Sequence, residues 1–374
     1  MIIGIPSEVE PDEYRIAITP EGAKDLVSAG HNVVIEKGAG LGSRLPDETY
    51  AGLGVEIVDT VEEMFDRAEL IVKVKDPSPK EVSLLKPEQT LFSFLHLAPQ
   101  PELTHKLMET GATCIAYETV MLEDGRLPLL APMSEIAGRI AAQVGAYFLE
   151  KMTGGRGILL GGVPGVPPAR VVVIGAGIVG TNAAKIAAGM LANVTVLDRN
   201  LDHLRALQSF ISGRLTTVMS TGLAIEEYVS DADLVICSVL IPGARAPKLI
   251  SEDLVRRMKP QSVLVDVSID QGGTSETSRM TTHSEPTYVE HDVIHYCVGN
   301  IPGAVPITST YALTNATLPY ILEIANQGVQ GAASRDKALG RGINVMEGKI
   351  TNRAVADSVN LPYYPLSSIV PYDF

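Results

Sequence analysis

The chain has 374 residues, of which 45% are hydrophobic and 20% charged, a composition that excludes a disordered chain and predicts two or three domains of roughly 150 residues each. Its 34 glycines and 24 prolines follow no period, which excludes a collagen-like fibre and favours a loop-rich enzyme. The 30 basic and 44 acidic residues give a net charge of −14 without a basic stripe, so no nucleic-acid partner is expected.

The three cysteines, Cys114, Cys237 and Cys297, lie far apart in apolar runs and form no CxxC pair, so neither a zinc site nor a disulfide framework is expected. The N-terminus lacks the basic segment and cleavage site of a signal peptide. No stretch reaches the roughly 20 apolar residues that span a bilayer. We therefore expect a soluble, cytoplasmic protein without a metal site.

Short β-branched runs alternate with helical patterns along the chain, which predicts an α/β fold with parallel sheets. In the first third, strands are expected at Met1–Ile5, Asn32–Glu36, Leu70–Lys75, Leu91–Leu97 and Thr113–Glu118. The spacing predicts a helix over Pro20–Ala29, with proline at its start. A long helical pattern from Ser134 to Met152, with Ser134 as its N-cap, precedes a turn-rich connector over Thr153–Pro168.

The middle third repeats this alternation. Strands are expected at Arg170–Ile174, Val194–Asp198, Thr216–Met219, Leu234–Ser238, Ser262–Ser268 and Ile294–Val298, with helices at Ile178–Leu191, Leu201–Ser212 and Ser251–Met258. The polar stretch Gln271–Asp292 is expected to be an irregular functional loop. Helices are then expected over Tyr311–Gln327, interrupted by Pro319, and over Asp336–Glu347. Because this part shows no strands of its own, we expect it to pack back on the first domain.

The strongest local motif is Val171-Val-Val-Ile-Gly175-Ala-Gly177-Ile-Val-Gly180, which ends a predicted strand and opens a helix. In a dinucleotide-binding unit the first glycine permits a tight turn, the second lets backbone approach the pyrophosphate at the helix N-terminus, and the third permits close helix–strand packing. Asp198 closes the next strand, where it would bind ribose hydroxyls and repel a 2′-phosphate, which favours NAD over NADP. Arg199 beside it is a residue that can accommodate that phosphate. The alternatives are a glycine turn that serves packing only and an acid that caps the next turn.

Three residues of the first domain are candidates for a substrate site. Lys75 and His96 end apolar strand patterns, and open α/β sheets bind ligands at the carboxyl ends of their strands. Arg15, in the loop after the first strand, can clamp a carboxylate with its planar guanidinium. The alternatives are a lysine that reaches water, a buried histidine bound to a backbone group, and a surface ion pair of Arg15 with Asp12 or Glu13.

Asp270 ends another predicted strand in Leu264-Val-Asp266-Val-Ser-Ile-Asp270-Gln-Gly-Gly273. A carboxylate before a glycine turn is either a catalytic group or a turn residue, and the sequence alone leaves both open.

Three stretches resemble the L-alanine dehydrogenase family, which is kin to the NAD-binding subunit of proton-pumping nicotinamide nucleotide transhydrogenase. They are Gly4-Ile-Pro-Ser-Glu with Arg15-Ile-Ala-Ile-Thr-Pro20, the glycine motif, and Val298-Gly-Asn-Ile-Pro-Gly-Ala-Val-Pro-Ile-Thr-Ser-Thr-Tyr-Ala-Leu313. The segment Leu130-Ala-Pro-Met-Ser134 is similar to the dehydrogenase form, since the Arg-Ala-Gln-rich loop expected of the transhydrogenase is absent. The resemblance implies two doubly wound parallel-sheet domains in a homohexamer: a discontinuous catalytic domain (1–129 and 307–374) and an inserted Rossmann NAD-binding domain (130–306).

The resemblance also implies roles for individual residues. Arg15 and Lys75 become substrate ligands, and His96 and Asp270 become catalytic. Besides the three glycines of the motif, the contacts implied for NAD are Ser134, Ile178, Val179, Asp198, Ser220, Val239, Leu240, Val267, Ser268, Ile269, Asp270, Arg279, Val298, Gly299, Asn300 and Ile301. His203 is a further expected contact at the adenosine end, although the family often has Arg or Lys there.

Together these residues predict reversible oxidative deamination of L-alanine to pyruvate and ammonium, with hydride transfer from Cα to NAD. A histidine such as His96 can accept and return protons near neutral pH, and Asp270 would orient water or ammonia. The alternatives are a soluble NAD-binding subunit of a membrane transhydrogenase and a non-catalytic NAD-sensing protein. The joint presence of Arg15, Lys75, His96 and Asp270 argues against both.

Overall fold

The computed structural model describes residues 1–211, 214–239 and 246–370. The chain divides into two compact units, of which the first comprises Met1–Met133 with the chain from Val305 onward and the second comprises Ser134–Ala304. Within the described ranges each unit contains a parallel-dominated sheet with helices, which confirms the predicted α/β class.

Numbered along the described part of the chain, the strands are β1 (Ile2–Ile5), β2 (Asn32–Glu36), β3 (Glu56–Val58), β4 (Leu70–Val72), β5 (Thr90–Ser93), β6 (Thr113–Ala116), β7 (Arg170–Ile174), β8 (Asn193–Asp198), β9 (Leu215–Met219), β10 (Leu234–Cys237), β11 (Val263–Asp266), β12 (Thr287–Glu290), β13 (Val293–Tyr296), β14 (Ile343–Met346) and β15 (Lys349–Ile350). The α-helices are α1 (Pro20–Ser28), α2 (Asp47–Ala51), α3 (Val61–Arg67), α4 (Pro79–Leu84), α5 (Pro101–Thr110), α6 (Ala131–Phe148), α7 (Ile178–Gly189), α8 (Leu201–Phe210), α9 (Gly222–Ser230), α10 (Glu252–Arg257), α11 (Pro306–Arg335), α12 (Lys337–Gly342) and α13 (Arg353–Val359).

The sheet of the first unit has the strand order β15-β14-β6-β5-β4-β1-β2-β3. The six strands β1 to β6 pair in parallel, whereas β14 and β15 are antiparallel to their neighbours. Its core is built from fully buried side chains such as Phe65, Leu91, Cys114 and Val345. Because parallel strands point the same way, the carboxyl ends of β1, β4, β5 and β6 lie side by side at one edge of this sheet.

The sheet of the second unit has the strand order β12-β13-β11-β10-β7-β8-β9. All its pairs are parallel except β12 with β13. Counting β7 as the first strand and leaving out β12, the order is 3-2-1-4-5-6, that of the dinucleotide-binding fold. Side chains on both faces are buried, as the β-branched run Val171–Ile174 indicates.

Local signals explain why the first helix starts and ends where it does. Pro20 occupies the first helical position, where a missing N–H costs nothing, and the Thr19 hydroxyl accepts a hydrogen bond from the N–H of Gly22. After α1, Gly30 adopts a φ of 89°, a left-handed conformation that suits glycine at a helix end. None of the helices within the described ranges has both the length and the apolar character needed to cross a membrane.

The prediction that Ser134 caps the long helix is wrong. Helix α6 begins at Ala131, so Ser134 lies inside its first turn. Pro132 tolerates this earlier start because the first turn of a helix does not use its own N–H groups.

Four strands that the sequence did not predict, β3, β12, β14 and β15, complete the sheets, and two of them replace a different expectation. The expected loop Gln271–Asp292 contains β12, which joins β13 through a two-residue turn at His291 and Asp292, both with positive φ as such a hairpin requires. The expected helix Asp336–Glu347 ends at Gly342 and is followed by β14, which pairs with β6. Tertiary pairing therefore overrides the helical pattern in this segment.

Candidate active site

The first sheet brings four chemically active side chains to one edge. Glu8 follows β1, Lys75 follows β4, His96 follows β5 and Glu118 follows β6. These four strands are neighbours in the sheet and are parallel. The edge therefore carries a cation and a titratable ring between two carboxylates. Open α/β sheets bind their ligands at this edge, where the carboxyl ends of the strands lie.

The two glutamates hold the backbone of the segments that carry Lys75 and His96. Glu8 accepts hydrogen bonds from the N–H of Lys75 at 3.2 Å and of the preceding residue at 2.6 Å. Glu118 accepts from the N–H of His96 at 2.7 Å and of the preceding residue at 3.3 Å. Carboxylates thus replace strand partners, which is why β4 and β5 end earlier than predicted and both candidates lie beyond their strands.

The segments after β4 and β5 are also joined to each other. The Gln100 amide donates to the Asp76 carboxylate and to the carbonyl oxygen of Leu95, both at 3.2 Å. The Lys75 Nζ lies 3.4 Å from a carboxylate oxygen of Glu10, and its side chain is only 19% exposed. The alternative of a lysine that simply reaches into water therefore does not describe Lys75.

His96 is an exposed ring on a strained backbone. Its φ is 47°, a left-handed conformation that a residue other than glycine adopts at a cost of about 1–3 kcal/mol and that is typical of functional sites. The ring stacks on Phe94 with a centroid distance of 5.7 Å, and Nδ1 lies 3.9 Å from a Glu118 oxygen. Because the side chain is 47% exposed, the alternative of a buried histidine bound to a backbone group does not hold.

Arg15 is buried and held by Glu13. Their contact is bidentate, with Nε 2.7 Å from Oε1 and Nη2 2.5 Å from Oε2, and the Arg15 side chain is only 3% exposed. Nη1 lies 3.2 Å from the Met133 sulfur. The pair is thus not the surface ion pair that was the alternative. A cavity of about 120 Å³ is lined by Ser7, Glu8, Glu13, Tyr14, Arg15, Gly38, Ala39 and Gly42.

A buried lysine that the sequence did not single out supports this edge. The Lys73 ammonium is completely buried and lies 2.6 Å from Glu81 and 3.4 Å from Glu8. Burial raises the pKa of Glu8, and the charge of Lys73 opposes that shift. Burial lowers the pKa of Lys73, but the charges of Glu8 and Glu81 outweigh burial and keep that pKa above its usual value.

The glycine motif of the second unit has the geometry that its sequence predicts. Gly175 has a φ of 101°, and a side chain at Gly180 would place its Cβ 1.8 Å from the Gly175 carbonyl oxygen. A Cβ at Gly177 would meet nothing within 4 Å, which leaves open space at the start of α7. The Ser238 hydroxyl donates to the carbonyl oxygens of Ile174 and Gly175 and ties β10 to this turn.

Asp198 binds the glycine loop and also caps the turn after β8. Its Oδ2 accepts from the N–H of Ala176 at 2.5 Å, and its Oδ1 accepts from the N–H of Asn200 at 2.7 Å. Nδ1 of His203 lies 3.6 Å from Oδ1. The capping alternative is therefore observed, and it leaves the second lone pair of each oxygen for another donor.

Asp266, another residue without a role in the sequence prediction, organises the loop after β11. This fully buried carboxylate accepts from the N–H groups of Thr274 and Ser268 at 2.7 and 3.1 Å and from the Ser278 hydroxyl at 2.6 Å. The same loop carries Asp270 on a short 3₁₀ helix, Val267–Gln271. Asp266 thus supplies acceptors for a segment whose pairing with the chain around Ile250 is limited to an isolated parallel bridge at Ser275.

The other expected cofactor residues lie mostly at the carboxyl edge of the second sheet. A Cβ on Gly299 would lie 3.3 Å from the Asp270 carboxylate, so the segments after β11 and β13 adjoin. The Ser268 hydroxyl donates to the Val239 carbonyl at 2.8 Å and joins the ends of β11 and β10. The run Val298–Ile301 follows β13, Ser220 follows β9, and Ile178 and Val179 open α7.

Two further expected contacts lie elsewhere, and a third is not among the described residues. The Arg279 guanidinium stacks 3.8 Å above the Tyr288 ring in the loop before β12. Ser134 lies on α6, and Leu240 is outside the described residues.

Two family profiles match the chain. One, described as "Alanine dehydrogenase/PNT, N-terminal domain", matches residues 4–137, and the other, "Alanine dehydrogenase/PNT, C-terminal domain", matches residues 141–353. Among curated relatives, "Alanine dehydrogenase" of Methanococcus maripaludis is 57% identical over 366 residues, 98% of each chain. "Alanine dehydrogenase" of Bacillus subtilis is 52% identical over 367 residues, 98% of this chain and 96% of the relative.

Solved structures give the same order of similarity. One titled "L-ALANINE DEHYDROGENASE" superposes with a TM-score of 0.92 at 47% identity and covers 96% of this chain and 99% of that one. A transhydrogenase from Sinorhizobium meliloti superposes with a TM-score of 0.81 at 24% identity and covers 95% and 100%. The second likeness shows a shared fold only.

Adding a methyl group at Gly180 should damage the glycine turn, whereas the same change at Gly189 in α7 should not. The Gly180→Ala methyl would collide with the Gly175 carbonyl, so we expect a lower melting temperature and NADH affinity reduced about tenfold or more, or 1.4 kcal/mol. Gly189→Ala meets nothing within 4 Å and should stabilise by about 0.4–1 kcal/mol. Thermal melts and NADH fluorescence titration measure both effects, and equal behaviour of the two variants would contradict this account.

Proposed function

The chain belongs to the alanine dehydrogenase/PNT family, and on that premise we propose that it catalyses the reversible, NAD-dependent oxidative deamination of L-alanine to pyruvate and ammonium. The observation that carries the proposal is the edge of the first sheet, where Lys75 and His96 lie beside each other on backbone held by Glu8 and Glu118. A homohexameric assembly and a cytoplasmic location belong to the same proposal.

In this proposal Arg15 and Lys75 bind the substrate carboxylate. Arg15 is suited to this because the bidentate contact with Glu13 fixes its guanidinium, while the Lys75 ammonium supplies a second positive charge. Both cations are largely shielded from water, which strengthens their attraction for an anion. The cavity that Arg15 helps to line provides room for a small anion.

The chemistry then requires His96 to accept and return protons in turn. His96 takes a proton from the alanine ammonium at Nε2, since Nδ1 faces Glu118, and passes it to solvent as the one proton released overall. Loss of hydride from Cα leaves an iminium, and water adds to that carbon while the neutral His96 accepts a proton from the water. His96 returns this proton to the amino nitrogen, and the C–N bond breaks as the hydroxyl proton passes to the departing ammonia, which gives pyruvate and ammonium. Asp270 orients the attacking water, or ammonia in the reverse direction.

The residues of the second unit fit a dinucleotide. Gly175 makes the turn, Gly180 allows close packing, and the open space at Gly177 faces the N-terminal end of α7, where free N–H groups favour phosphate. When bound, the nicotinamide supplies the hydride acceptor. Asp198 would accept from ribose hydroxyls and repel a 2′-phosphate, which supports NAD over NADP.

The alternatives have less support. The transhydrogenase likeness stands at 24% identity, against 57% for the Methanococcus relative named alanine dehydrogenase. An NAD-sensing protein would bind the nucleotide without turnover, and it gives no reason for a strained, exposed histidine next to a shielded lysine.

The direct test is reduction of NAD by the purified protein on adding L-alanine, with glycine, L-serine and buffer as parallel reactions and NADP in place of NAD as a second series. We expect reduction with L-alanine and NAD, and much weaker reduction with NADP because of the Asp198 charge. Binding of NADH without alanine-dependent reduction would support the sensing alternative. Equal use of NADP would contradict the role of Asp198.

Replacing His96 tests the proton-transfer step. His96→Ala should fold and bind NADH but lose about 10²–10⁴ in kcat, since the ring is exposed and contributes little packing. His105→Ala is the matched control, because His105 is an exposed histidine on α5 of the same unit. A His96→Ala enzyme with near-normal kcat would remove His96 from the mechanism.

A further inference from the structure

Glu8 is placed so that its carboxylate acts on the backbone of Lys75. Its side chain is 2% exposed, and each oxygen accepts one N–H from the segment after β4. Hydrogen bonds from backbone N–H groups to a buried charge are stronger than neutral ones. They fix two consecutive peptide N–H groups just beyond the end of β4, where the Val74 carbonyl still accepts from the N–H of Phe94 at 3.1 Å.

Glu8 lies beside a buried cation. Lys73 lies 3.4 Å from Glu8 and 2.6 Å from Glu81, and all three side chains are almost completely buried. Glu81 also forms a capping box with Ser78 at the start of α4. The two carboxylates thus share Lys73, but it is Glu8 that also accepts hydrogen bonds from the segment that carries Lys75.

Glu8 also adjoins the other expected substrate cation. It lines the same 120 Å³ cavity as Arg15 and Glu13. Glu8 thus contacts the backbone of Lys75 and lines a cavity together with Arg15. Its position is suited to setting the distance between the two groups that would bind a substrate carboxylate.

We propose that Glu8 is a positioning residue that fixes Lys75 for substrate binding through its backbone. This inference rests on the proposed role of Lys75 as a substrate ligand. Glu8 itself need not touch the substrate, because its effect passes through the peptide units that it holds. Loss of the carboxylate would release the Lys75 segment and weaken binding of the substrate anion, while the nucleotide-binding unit would be unaffected.

The variant Glu8→Gln tests this with little change in shape. It leaves Lys73 and Glu81 as a balanced ion pair, so the chain should still fold. The amide nitrogen replaces one acceptor and faces an N–H group, so one backbone bond is lost. We expect the KM for pyruvate to rise and kcat/KM for pyruvate to fall about tenfold, with the KM for NADH unchanged.

Glu69→Gln is the matched control. Glu69 lies in the same unit, and its carboxylate accepts a hydrogen bond from the N–H of Ile2 at 2.6 Å. Because Ile2 begins β1 and Glu8 follows the other end of that strand, the pyruvate kinetics of Glu69→Gln should match those of the parent protein. The proposal fails if Glu69→Gln and Glu8→Gln change pyruvate kinetics equally.

A double-mutant cycle separates positioning from a general structural role. In a Lys75→Met background, Glu8→Gln should lower kcat/KM for pyruvate hardly further, because the ammonium that Glu8 positions is gone. In a His96→Ala background it should keep its full factor of about ten. The same loss in both backgrounds would mean that Glu8 acts through the fold rather than through Lys75, and it would overturn the proposal.

Amide hydrogen exchange of the peptide containing Val74 and Lys75 gives a readout that needs no turnover. We expect faster exchange there in Glu8→Gln than in the parent or in Glu69→Gln. If the parent protein fails to reduce NAD with alanine while this exchange rises, the proposed activity fails but the backbone role of Glu8 stands. Unchanged exchange in an active parent would overturn the role of Glu8 alone.

Discussion

Backbone N–H groups at the carboxyl ends of parallel strands need acceptors once the ladder stops, and in this chain buried or partly buried carboxylates provide them. Glu8 and Glu118 do so beside Lys75 and His96 in the first unit. A buried N–H without an acceptor costs about 1–3 kcal/mol, so each such carboxylate stabilises a loop that would otherwise lose its conformation. The arrangement lets strands end early and still deliver polar side chains to a defined place.

In the second unit, too, carboxylates accept hydrogen bonds from backbone N–H groups beyond the strand ends. Asp266 accepts from the loop after β11, and Asp198 joins the glycine turn to the segment after β8. Tightly packed glycines complete the arrangement, since a Cβ at Gly273 would lie 2.9 Å from the Asp266 carboxylate. In both units, therefore, the strands set the direction of the loops, and acidic side chains set their shape. Two sheets with different strand orders offer comparable polar edges for this reason.

The sequence predicts the parts of this structure that depend on local signals. The glycine motif and Asp198 lie within one βαβ unit, so spacing alone places them correctly. Strands β12 and β14 were missed because their hydrogen-bond partners, β13 and β6, decide their conformation.

The carboxylates that hold the loops were missed for a related reason. Glu8 and Lys75 are 67 residues apart and meet only because β1 and β4 are neighbours. The sequence around Lys73 does not predict that its ammonium is buried between two glutamates. The roles of Arg15, Lys75, His96 and Asp270 stay predictions, supported by their placement at the strand ends or in a buried pair.

The central claim is that this chain moves the α-hydrogen of L-alanine to NAD as a hydride. Reaction with L-alanine deuterated at Cα tests it most directly, with mass spectrometry of both the reduced nucleotide and the pyruvate. The account predicts one deuterium in the reduced nucleotide for each pyruvate formed. Pyruvate formation with unlabelled reduced nucleotide, or no alanine-dependent reduction by a protein that binds NADH, would contradict it.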